Sequence, residues 1–249
     1  MNVDIIQACT IGDTQSVIEG LELQMDDDTV ALAVQAAAKN GHTACVAALL
    51  PFYPAQADDG ASVRNAAIHG HVECVKLLFP VSVFEHDIIR CNVLSEAVNY
   101  GHLDCLKFLA PHYDLTKLNG YLVMTAAQHG HTECLDFLLK FPCTTEQYTK
   151  ALERAAYNGH VQCVRKVLPL CDEATSALYM SAQRGFGLCV EELYAHSDIE
   201  HALDVLQKNH PGLKHNWEPL AQRWENEQQR RAILQTLDAA NPSVFKRKM

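Results

Sequence analysis

Five times the chain spells Gly-His-x-x-Cys, at Gly41-His42, Gly70-His71, Gly101-His102, Gly130-His131 and Gly159-His160. The cysteines follow at Cys45, Cys74, Cys105, Cys134 and Cys163, and the glycines are 29, 31, 29 and 29 residues apart. A fixed period of that length marks a stack of small units, each burying its apolar face against its neighbours. The period also governs how every His and Cys is read. A catalytic group is needed once, whereas a packing group is needed in every unit.

Aligned on the glycines, the pattern lengthens in both directions. Small residues precede it, as in Ala37-Ala38, Ala66-Ala67, Ala97-Val98, Ala126-Ala127 and Ala155-Ala156. After the cysteine come Val or Leu and then an apolar pair, Leu49-Leu50, Leu78-Phe79, Phe108-Leu109, Leu138-Leu139 and Val167-Leu168. Weaker copies surround Gly12 and Gly185, bringing the total to about seven units with atypical outer members. Glycine takes the left-handed conformation that ends a helix, so the first helix of each unit ends there. The second helix then lines up Cys, Val/Leu and Leu at one-turn spacing. Pro51, Pro80, Pro111 and Pro169 follow at once and stop it. Helix starts are signalled by Thr29, by Thr144 with Gln147 three residues on, and by Thr175.

The motif Ala-Ala-x-x-Gly-His-x-x-Cys/Val-Val/Leu-x-x-Leu-Leu resembles the ankyrin repeat over about residues 3 to 195. Two of that family's segments are missing. Its Thr-Pro-Leu-His is replaced by segments such as Ala61-Ser62-Val63-Arg64 and Tyr121-Leu122-Val123-Met124, and its Gly-Ala-Asp-x-Asn finger is absent. The resemblance implies an all-α, ankyrin-like helix–turn–helix solenoid whose fingers do not form regular hairpins. The array is expected over residues 1–196, and a C-terminal helical cap or tail over residues 197–249.

Equivalent cysteines in adjacent units should lie about 8–10 Å apart, too far for disulfides or for zinc. The ten cysteines are therefore small buried hydrophobes, which fits a reducing compartment. Residues 1–196 hold 23 acids and 12 bases, against 7 and 8 in residues 197–249. That balance argues against nucleic acid, which wants a basic face. The acids gather in the connections, at Asp26-Asp27-Asp28, Asp58-Asp59, Glu85, Asp87, Asp114, Glu146 and Asp172-Glu173. They read either as solvated loops that keep a repeat protein soluble or as an acidic rim that steers a partner with a basic surface. No stretch is apolar enough to span a bilayer, and Met1-Asn2-Val3-Asp4 does not begin a secretion signal. A cytoplasmic monomer is the expectation, with entry into a host cytosol left open.

Catalysis by a His–Cys pair would need an orienting group, and none recurs. His69/His71 and His129/His131 lie two units apart, so they cannot share a metal ion. No catalytic residue, metal or cofactor is expected. What varies from unit to unit is the pair before each glycine: Lys39, Asn40, Ile68, His69, Asn99, Tyr100, Gln128, His129, Tyr157, Asn158, Gln183 and Arg184. The resemblance implies that these line the concave face that grips a protein partner. Tyrosine, isoleucine, histidine and arginine suit a binding surface. The function expected is therefore non-catalytic protein–protein recognition. Its alternatives are a microbial or viral effector that docks or inhibits a host protein, and a Cys/His enzyme. The tail helix, from about Asn216 to Leu237, carries Trp217, Leu220, Trp224, Ile233, Leu234 and Leu237. It reads as a cap over the last unit, or else as a docking helix.

Overall fold

The computed structural model describes residues 4–22, 25–53, 58–84 and 87–240. The chain divides into two compact units, residues 1–147 and 148–249, which are described separately. Among the described residues there is no strand. The connections expected to end in proline stops contain short 3-10 turns at Leu50–Phe52, Ala110–His112 and Leu168–Leu170. The basic terminal residues Lys246, Arg247 and Lys248 lie outside the described residues.

In the first unit, helices alternate between two layers. One layer holds α1 (Ile5–Ile11), α3 (Asp27–Lys39), α5 (Ala61–Ile68), α7 (Asp87–Asn99) and α9 (Leu115–His129), each packed on the next. The other holds α2 (Thr14–Leu21), α4 (Thr43–Leu49), α6 (Val72–Leu78), α8 (Leu103–Leu109) and α10 (Thr132–Leu138). The alanines before each glycine are fully buried, so neighbouring first helices approach closely. The second helices contribute Cys45, Val46 and Leu49 and their equivalents, again fully buried. Full burial of each such leucine is worth roughly 1.5–3 kcal/mol.

The second unit begins within α11 (Thr145–Tyr157) and continues with α12 (Val161–Val167), α13 (Thr175–Arg184), α14 (Gly187–Leu193), α15 (Ile199–Asn209) and α16 (Lys214–Ala240). The Arg165 guanidinium donates twice to Glu192 Oε1, at 2.6 and 2.8 Å, tying α12 to α14. Trp217 and Leu220 of α16 are buried, Tyr194 donates to Glu227 Oε2 at 3.0 Å, and the Arg223 guanidinium lies 3.8 Å from the Tyr194 ring centre. Farther along the tail stripe Trp224 is half-buried. Ile233 and Leu234 are 58% and 55% exposed. The helix of 27 residues, about 40 Å long, packs on α13 and α15, and its contacts with Glu191 and Tyr194 come from Arg223 and Glu227, within its first half.

Several local expectations change as well. Thr144 and Gln147 form the expected reciprocal cap, with Thr144 N donating to Gln147 Oε1 at 2.9 Å and Gln147 N donating to Thr144 Oγ1 at 3.3 Å. Thr29, by contrast, is not a cap. Asp26 caps α3 by accepting from Thr29 N at 2.7 Å. Thr175 begins α13, and its hydroxyl accepts from Asp198 N at 2.9 Å. Asp114 caps α9 in the same way as Asp26 caps α3, and the hydrogen bonds at Asp26 and Asp114 hold both carboxyls below their usual range. Asp58 is buried, where it accepts from Gln35 Nε2 at 2.6 Å, from Ser62 N at 2.8 Å and from the Tyr53 hydroxyl. Asp26 and Asp114 therefore cap helices while staying exposed, and Asp58 alone of these three leaves the rim for the interior.

Candidate functional site

The turn that carries the site is built the same way in each unit. Gly41, Gly70, Gly101 and Gly130 have φ between 76 and 78°. The next N–H, that of the histidine, reaches back to the first alanine, as in His102 N to Ala97 O at 2.8 Å. The histidine then stands at the N-cap of the second helix but makes no side-chain cap bond. Ser, Thr, Asp or Asn there would satisfy a helix N–H. The imidazole instead crosses to the unit before it. Nε2 meets a backbone carbonyl in each case: His42 with Thr10 at 3.1 Å, His71 with Lys39 at 3.1 Å, His102 with Ile68 at 2.8 Å and His131 with Asn99 at 2.9 Å. A carbonyl only accepts, so Nε2 carries the proton and Nδ1 faces the glycine of the preceding unit. In the second unit Phe186 packs on Gly159, and Asn216 faces Gly185 while its Nδ2 donates to Gln183 O at 2.8 Å.

Each carbonyl taken by a histidine lies two residues before a glycine, so the row expected to bind a partner also holds the stack together. Its two positions differ. Lys39, Asn40, His69, Tyr100, His129, Tyr157 and Arg184 are exposed, whereas Ile68, Asn99, Gln128, Asn158 and Gln183 are half-buried. Some side chains are already engaged locally. Asn40 Nδ2 donates to Ala36 O at 2.8 Å, Asn158 Nδ2 to Arg154 O at 2.9 Å, and His69 Nδ1 pairs with Asn65 O at 2.9 Å. His69 stacks on His71, and His129 on His131, with ring centres 6.3 and 6.1 Å apart. Within the second unit the Arg184 guanidinium lies 4.7 Å from the Tyr157 ring centre, and Gln183 Nε2 lies 3.0 Å from His210 Nε2.

Leu32 and Tyr121 are absent from the sequence expectation, yet they are 51% and 58% exposed. Each lies seven residues before a row member, Lys39 or Gln128, hence on the same helix face. The corresponding positions elsewhere are Ala61, Asn92, Lys150 and Ser176. A large apolar side chain at a position that elsewhere is small or polar was the available signal.

Burial pushes the Cys105, Cys134 and Cys189 thiols up to about 11, which leaves them protonated and weakly nucleophilic. Among the described residues no three His, Cys, Asp or Glu side chains are placed to hold a metal ion, and no helix is long and apolar enough to cross a membrane. Burial also lowers the His71 pKa, with smaller contributions from the neighbouring histidines His69, His102 and His42. A lowered folded pKa means that stability is fully present above the unfolded value of about 6.5 and is lost as pH falls through the folded one. Thermal melts between pH 7.5 and 5 should therefore fall. His71→Asn, which copies the amide of Asn216, should flatten that slope, and an unchanged slope would refute the assignment.

Stacked helical pairs closed by left-handed glycine turns and buried alanines define a helical-repeat solenoid. Residues 94–174 match the family model described as ankyrin repeats (3 copies). The crystal structure of the human ASB11 ankyrin repeat domain superposes with a TM-score of 0.62 at 19% identity, covering 76% of this chain and 96% of that one, a likeness of fold. Residues 94–174 thus match ankyrin repeats, and the fold of the chain as a whole is like that of an ankyrin repeat domain. A search of curated proteins found no match. Ankyrin repeats are protein-interaction modules and are typically non-catalytic.

Proposed function

We propose that the chain recognises another protein through the row before the repeat glycines, extended along the first helices by Leu32 and Tyr121. The supporting observation is that Tyr100, Tyr121 and Tyr157 stand 50%, 58% and 41% exposed along the first helices, the one carrying Tyr100 being pinned at its end by the His131 bond to Asn99 O. Large amphipathic rings on a preformed backbone bind with little ordering cost. The negative balance of residues 1–196 favours a partner with a basic surface.

The test is affinity capture from cell lysate with the wild type beside a Tyr100→Ala/Tyr157→Ala/Arg184→Ala variant, followed by a titration of the captured protein. Affinity should fall by about tenfold to a hundredfold, as for loss of hot-spot side chains, while the melting temperature barely moves. Equal affinity of both proteins for every captured partner would remove the row as the site.

A further inference from the structure

A separate surface lies on the connections of the first unit, at the opposite ends of the helices from the glycine turns. There a cavity of about 530 Å³ opens between the turn after α8 and the one after α10. Its apolar wall includes Pro111, Tyr113, Leu115, Phe137, Phe141 and Pro142, and Lys107, Asp114 and Thr116 are its polar lining. Both sides are braced from behind. Tyr113 rests 6.1 Å, centre to centre, from Phe79, which is buried. Phe137 and Phe141 meet at 5.5 Å. The loop carrying Phe141 and Pro142 is tied down by Asn119, fully buried, whose Nδ2 donates to Phe141 O at 3.0 Å and Leu138 O at 3.2 Å. The cleft is therefore preformed.

Its rim carries the charge that the rest of this unit lacks. Residues 1–147 contain seven Lys and Arg against 18 acids, and three of the seven stand here. Lys107 lines the cleft, Lys140 Nζ lies 5.8 Å from the Phe137 ring centre, and Lys117 Nζ is 3.3 Å from Asp114. The Asp114 carboxylate is already engaged, accepting from Thr116 N at 3.1 Å as well as facing Lys117. Lys107 has only a 3.9 Å pairing with Asp104, itself 80% exposed, and such a surface pair is worth little.

We infer that this cleft docks a short segment of a partner protein that presents an aromatic or aliphatic side chain flanked by carboxylates. The apolar side chain fills the space among Tyr113, Phe137 and Phe141, and the carboxylates meet Lys107 and Lys140. This inference does not rest on the tyrosine row, and it requires ligand chemistry of opposite charge.

The experiment pans a phage-displayed library of random peptides against the full-length protein and measures the enriched peptides by fluorescence polarisation at low and high salt. Enriched sequences should place Phe, Trp or Leu beside Asp or Glu. Lys107→Glu/Lys140→Glu, changing two exposed side chains, should weaken them by about tenfold or more and remove most of the salt dependence. Phe141→Ser should abolish binding, and the Tyr100/Tyr157/Arg184 alanine variant should bind as wild type does. A melting curve for each variant shows that it is folded. Several outcomes overturn the inference: no enrichment, enrichment of basic or charge-indifferent peptides, or binding unmoved by the lysine reversal. A dimer in sedimentation that disappears in the Lys107→Glu/Lys140→Glu variant would assign the cleft to a second copy and overturn it equally.

Discussion

Gly101→Ala should reduce the free energy of unfolding by about 2–4 kcal/mol. Two costs combine. The backbone at φ 78° is left-handed, which an L side chain adopts only at about 1–2 kcal/mol. The new Cβ would also lie 2.5 Å from His131 Nδ1, so the ring must move and its 2.9 Å bond to Asn99 O is lost. Urea unfolding measures the total, and a double-mutant cycle separates the parts. In a His131→Ala background the same substitution should cost only the backbone share. A full cost in both backgrounds would show that the ring is not involved.

Asn119→Ala should cost a similar amount, about 2–4 kcal/mol, because buried carbonyls that lose a donor keep their desolvation penalty. The amide spans from Leu138 O to Phe141 O, with Cys143 Sγ 3.0 Å away. Asn119→Asp conserves the volume and removes the donor, so it should be worse than Ala. If Asp were the milder change, the role would be space-filling rather than hydrogen bonding. Both variants should also raise protease cleavage within residues 138–143, as the loop there loses its anchor.

The repeat register was legible because it depends on residue types that recur: a glycine where the backbone turns left-handed, alanines where helices touch, cysteine where a small apolar group fits. The reciprocal cap of Thr144 and Gln147 was legible for the same reason, since its partners lie three residues apart. The reach of each imidazole was not. His131 bonds a carbonyl 32 residues earlier, and a backbone carbonyl leaves no mark in the sequence. Asp58 looked like one more loop acid because its donors Gln35 and Tyr53 carry no pattern of their own. In the run Asp26-Asp27-Asp28-Thr29 any member could begin the helix, and the choice fell to the aspartate three residues before a hydrogen-bonding N–H. Leu32 and Tyr121 were hidden in helices read mainly for their buried faces.

The direction of the imidazole bonds sets a rule for how such a chain can lengthen or shorten. Each link carries a hook, its ring, and an eye, the carbonyl two residues before its glycine. In the four histidine couplings of the first unit the hook seizes the eye of the link before it. From Thr10 to Asn99 in the first unit the couplings are interchangeable, because an eye is backbone and exists whatever the side chain. A whole link can be inserted or removed between two others without stranding a donor or an acceptor at the turn. At the far end Gln183 offers its eye to an asparagine, the same coupling made by a different hook.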